Sequence, residues 1–75
     1  MDINDFINGF AEQFDDTDMS EFTEDCRFKE LDEWSSLSAM SIIAYVKTAC
    51  GKTISAREIR NCVTIGDLYK LVSEL

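Results

Sequence analysis

The sequence predicts an all-α bundle of four helices, with a long connection between the first two and a short third helix. Three observations predict it. Apolar residues recur at spacings of three and four, helix-capping signatures precede the last two helical stretches, and proline is absent throughout. Seventy-five residues allow one domain, spanning 1–75, near the lower size at which a chain buries a self-sufficient core.

The first helix is predicted from about Asp2 to Phe14, where Ile3, Phe6, Ile7, Phe10, Ala11 and Phe14 form one apolar stripe. Asp2, Asp5, Glu12 and Gln13 lie off it, and the two aspartates suit the positive end of the helix dipole. Gly9 sits mid-helix, at a cost of about 1 kcal/mol against alanine. Residues 15–34 lose the period, and Phe22, Phe28, Leu31 and Trp34 recur there as isolated apolar anchors. A connection this long is either functional or disordered, and four large apolar residues favour one laid over the core. Asp16-x-Asp18-x-Ser20 begins like a calcium loop. Glu21 stands where that loop needs glycine and Arg27 where it needs a bidentate glutamate, so the reading is rejected.

The second helix is predicted from about Ser36 to Cys50, stopping at Gly51. At roughly 100° per residue, Ala39, Ile42, Ile43, Val46, Ala49 and Cys50 share the core arc. The outer arc holds Leu37, Met40, Ser41, Ala44, Lys47 and Thr48. Leu37 and Met40 on that arc admit two explanations: the long loop covers them, or they dock a partner, a task suited to methionine's adaptability. Ser55-Ala56-Arg57-Glu58 is a capping box for the short third helix, with Ile54 and Ile59 placed as a hydrophobic staple. Thr64-Ile65-Gly66-Asp67 opens the last helix with a threonine cap, and Ile65, Leu68, Leu71, Val72 and Leu75 give it an apolar face.

The net charge of −8 is unevenly spread. Residues 1–33 hold twelve Asp/Glu against Arg27 and Lys29, a net of −10, while residues 34–75 carry a net of +2. Either the two halves complement each other within the fold, or the acidic half steers a basic partner. The acidity argues against nucleic acid and anionic lipid as partners. No apolar run is long enough to span a bilayer, and the N-terminus is acidic where a signal peptide would be basic. Cys26, Cys50 and Cys62 show no C-x-x-C spacing and leave one unpaired, which disfavours a disulfide framework or a zinc site. Cys50 and Cys62 are expected in the core, with Cys26 undecided on the loop. The expected setting is intracellular and reducing. The absence of histidine removes Ser-His and Cys-His catalysis, so an enzyme is not expected.

Leu31-Asp32-Glu33-Trp34-Ser35-Ser36-Leu37-Ser38-Ala39-Met40 carries the most information. A serine stands where a long loop turns into an apolar helix, and leucine follows it at once. With the four-helix order, the length, the low pI and Thr64-Ile65-Gly66-Asp67-Leu68, the whole chain resembles the acyl carrier protein family. That family's hallmark is Asp-Ser-Leu at the start of the second helix. The resemblance implies a 4′-phosphopantetheine arm on Ser36, derived from coenzyme A, whose thiol holds acyl or aminoacyl groups as thioesters. It implies a partner-recognition face at Leu37, Met40, Ser41 and Ala44, and a cytoplasmic monomer. Its partners would be a phosphopantetheinyl transferase, with its magnesium, and acyl-loading and acyl-processing enzymes.

Three departures stand out. Ser35 replaces the usual aspartate before the modified serine, the outer face of the second helix lacks its usual acidity, and no Gly-Gly precedes the serine. The other reading of Ser36 is an ordinary N-cap, for which Ser35 and Ser38 compete. The alternative function is a carrier-like interaction module that is never modified. Trp34 is either a loop anchor or a lid against the arm.

Overall fold

The computed structural model describes residues 1–75 as an all-helical bundle without strands. Its helices are α1 (Ile3–Ala11), α2 (Ser36–Cys50), α3 (Ala56–Asn61) and α4 (Ile65–Glu74). Helix α1 starts at an Asp2 cap whose side chain accepts from the Asp5 N–H at 3.0 Å. It ends three residues earlier than the apolar stripe predicts. The Gln13 and Phe14 N–H groups bond to Phe10 and Ala11 carbonyls, tightening the last turn while keeping Phe14 buried. The stripe reported burial correctly and helix length poorly.

The long connection is ordered and contains two 3-10 turns, Met19–Glu21 and Phe28–Glu30. As expected, it lies over the core: Phe22, Cys26 and Phe28 are buried, and Leu31 and Trp34 pack against the buried cluster. All eight aromatic residues share one network of ring contacts. Phe10 is its hub, with ring centroids 6.5, 5.6, 6.2 and 5.4 Å from Phe6, Phe14, Phe22 and Phe28. Phe6 reaches Tyr45 of α2 and Tyr69 of α4, so α1 joins both helices and the loop.

Gly9 on α1 has a packing reason. A Cβ there would stand 2.5 Å from the Tyr45 ring carbon Cε1, where real contacts do not occur. The ring is held against α1 by a hydrogen bond from its hydroxyl to the Phe6 carbonyl, 3.1 Å.

Helix α2 ends at Gly51, whose φ of 67° is the left-handed conformation that favours glycine at a helix stop. Its core arc is narrower than predicted. Ile42 and Val46 are buried, Ile43 and Cys50 are half-buried, and Ala49 is exposed because it edges an open hollow among Met1, Phe6, Lys52 and Tyr69. Helix α3 opens with the Ser55–Glu58 capping box, and Ile54 and Ile59 are both buried. Helix α4 opens with a Thr64–Asp67 box. Leu75, expected on its apolar face, lies past the helix end and is 48% exposed.

The first two N–H groups of α4 are satisfied by the long loop. Ile65 donates to the Cys26 carbonyl at 3.1 Å and Gly66 to the Glu24 carbonyl at 2.9 Å. Free N–H groups at a helix start require such acceptors when they are buried, so the loop serves as part of the α4 cap. No helix is long and apolar enough to cross a membrane.

Candidate functional site

The loop meets α2 at three serines, and the structure divides their roles. Ser35 is the N-cap: its hydroxyl accepts from the Ser38 N–H at 3.3 Å, and its own N–H donates to Ser38 Oγ at 3.2 Å. Ser38 completes the box and also donates to the Glu33 carbonyl at 3.0 Å. Ser36, the first helical residue, is exposed, and its hydroxyl makes no hydrogen bond within the protein. The capping role contemplated for Ser36 therefore belongs to its neighbour. Serine caps about as well as aspartate, so Ser35 preserves the helix start while giving up a negative charge. The N–H groups of Ser36 and Leu37 have no protein acceptor and face the helix N-terminus beside the free hydroxyl.

Glu33 fixes the approach to this serine. Its carboxylate accepts from the Asp15 N–H at 2.9 Å, the Asp16 N–H at 3.0 Å and the Thr17 hydroxyl at 2.6 Å. The end of the loop is thereby tied to its beginning. The Thr17 hydroxyl, followed by the Asp15 and Asp16 amides, holds the Glu33 carboxyl below its ordinary value of 4.5. A lowered folded pKa stabilises the native state above the unfolded value, and that contribution disappears as pH falls through the folded value. Thermal melts across this range check it. Glu33→Gln is expected to lower Tm at neutral pH, and the gap from wild type is expected to close once the carboxyl is protonated. A constant gap at all pH values would mean the clasp does not depend on charge.

Beside Ser36 a groove of about 470 Å³ opens between α2 and α3. Ala39, Ile43 and Ile59 supply apolar lining, Trp34 forms one wall, and Met40 lies at the same opening. Its charged lining consists of Lys29 and Arg60, with no carboxylate. Trp34 is both the loop anchor and a groove wall: it stacks on Phe14 at 6.3 Å, meets Phe28 edge-on at 5.1 Å and shares the lining with Ser36.

The predicted partner face divides in two. Leu37 is 75% exposed and Met40 is 65% exposed, so the loop does not cover them. Ser41 and Ala44 line a separate shallow hollow with Gln13, Tyr45 and Thr48. Acidic residues gather on the other side of the loop, where Asp16, Glu21, Glu30, Asp32 and Glu33 surround an open hollow of about 400 Å³. None of these carboxylates lines the groove.

The cysteines are free. Cys26 and Cys62 are buried and Cys50 is half-buried, which places Cys26 in the core and Cys50 at its edge. Burial pushes the thiols of Cys26 and Cys62 upward, keeping them protonated at neutral pH.

Of the residues singled out in the sequence, Ser36, Leu37 and Met40 are exposed at this end of α2; Glu33, Lys29 and Arg60, which brace the loop or line the groove, carry no sequence signal. No family model, curated protein or solved structure matches the chain.

Proposed function

We propose that the chain is a carrier protein that holds acyl or aminoacyl groups on a 4′-phosphopantetheine arm attached to Ser36. The observation that carries this reading is the free Ser36 hydroxyl: exposed, unused in capping, and placed at the mouth of an apolar groove. The surroundings fit the arm. Two unpaired helix N–H groups stand at the serine and two cations line the groove it shares, supplying the donors and positive charge a phosphate needs, and the apolar lining suits the chain beyond it. When attached, the arm supplies a terminal thiol that holds cargo as a thioester.

Ser36 cannot load itself. Its hydroxyl has no base bonded to it, and the chain contains no histidine. In the attachment reaction a Ser36 Oγ–P bond forms, the pyrophosphate P–O bond of coenzyme A breaks, and adenosine bisphosphate leaves. The serine proton passes to a base of the phosphopantetheinyl transferase. Leu37 and Met40 present an apolar contact to that transferase and to acyl-loading and acyl-processing enzymes, and Ser41 and Ala44 offer a second, shallower contact further along α2. Steering of basic partners comes from the loop, which carries the excess carboxylates. The protein works as a cytoplasmic monomer and does no chemistry alone.

Intact mass after incubation with coenzyme A and a broad-specificity phosphopantetheinyl transferase tests the reading. Wild type is expected to gain the mass of one arm, and Ser36→Ala is expected to gain nothing while melting like wild type. An unchanged wild-type mass would remove the carrier reading. The exposure of Leu37 and Met40 would then favour the second one, an unmodified module that docks a partner through α2. That module would keep partner binding in Ser36→Ala and lose it in Met40→Glu.

A further inference from the structure

Lys29 belongs to the acidic half of the chain, yet its ammonium makes no ion pair with a carboxylate and crosses to α3, donating to the Arg60 carbonyl at 2.6 Å. One of its three donors is used, and two remain. Arg60 follows on α3 with its guanidinium free of any carboxylate. The one ion pair between side chains is Arg27–Glu30, at 3.7 Å. Both cations line the groove that holds Ser35 and Ser36, and no Asp or Glu lines it, although the protein has fifteen. The bond from Lys29 to the α3 backbone fixes the ammonium at the α3 side of that opening, so it is not a freely moving surface lysine. Such a pair presents spare N–H donors and positive charge to an anion with several oxygens, and a phosphodiester is one.

We propose that Lys29 and Arg60 are positioning residues that clamp the phosphate of the arm on Ser36 against the α2–α3 groove. The inference rests on the carrier reading and adds to it the residues that orient the arm. The family's usual aspartate before the serine would place a negative charge beside this clamp; Ser35 leaves it unopposed. The clamp sets the direction in which the arm leaves the protein, while Leu37 and Met40 remain open to partners.

Phosphorus NMR of the loaded protein tests the clamp. Excess transferase drives wild type, Lys29→Gln, Arg60→Gln and the double variant to full loading, checked by mass. The wild-type phosphodiester resonance is expected to stand apart from its position in the urea-unfolded protein and to move toward that position as salt is added. Each single variant is expected to lose part of the displacement and the double variant most of it, with Lys29→Arg restoring the wild-type signal. Arg60→Gln removes no side-chain hydrogen bond seen in the fold, so its effect reports on the phosphate. A loaded wild type and double variant with the same resonance would overturn the clamp and leave the carrier reading standing. A wild type that gains no mass would remove both.

Discussion

Replacing Phe10 with alanine is expected to destabilise the fold by about 3–5 kcal/mol, the usual range for emptying a buried aromatic site. A domain of this length has a total stability of roughly 4–11 kcal/mol at 0.05–0.15 kcal/mol per residue, so this one change removes a large share of it. The reason is position. Phe10 is fully buried and its ring meets Phe6 and Phe14 on one side and Phe22 and Phe28 of the loop on the other. Truncation empties the junction between α1 and the loop, where neighbours drawn from two separate segments cannot both move in. Leu37→Ala is the matched control, since a side chain 75% exposed is expected to change stability by no more than about 0.5 kcal/mol. Urea titration of both variants checks the contrast. A loss below about 1 kcal/mol for Phe10→Ala would mean that the loop does not pack on this ring.

Gly9→Ala is expected to reverse the sign that helix propensity assigns it. Propensity alone favours alanine by about 1 kcal/mol in a helix interior. The structure places the new methyl on the Tyr45 ring, which is half-buried and tied to the Phe6 carbonyl, so the ring or α1 must shift. Overpacking of this kind costs about 1–3 kcal/mol, which outweighs the propensity gain. Tyr45→Ala removes the obstacle, and introducing Gly9→Ala into that background is expected to raise stability. A double-mutant cycle by urea unfolding reads the coupling directly. Two backgrounds giving the same sign would show that Tyr45 does not hold Gly9 in place.

Much of this arrangement is legible in the residues, and the legible part has a common cause. The cap signatures at Ser55 and Thr64, the stop at Gly51 and the anchors Phe22 and Phe28 each depend on near neighbours in sequence or on hydrophobicity alone. The serine at the loop–helix junction belongs to the same class, because its exposure follows from its place in the first turn of α2. The features that escaped join distant residues through polar atoms. Glu33 reaches back sixteen to eighteen residues to bind two amides and a hydroxyl, and Lys29 reaches thirty-one residues forward to a carbonyl. Neither leaves a periodic mark. Gly9 and Tyr45 escaped for a related reason, since an absent side chain on one helix is intelligible only beside the ring that fills its place. The end of α1 was misplaced because the core accepts Phe14 from a tight turn as readily as from a helix.

The loop carbonyls that receive the Ile65 and Gly66 amides have a consequence for cooperativity. A surface connection usually opens at little cost and leaves the rest of a domain intact. Here, lifting the loop strips the last helix of two of its terminal bonds, so the segment that leads into Ser36 and the C-terminal helix open together. The connection therefore behaves as an element of the cooperative unit. A pull on the loop is thus resisted by the last helix.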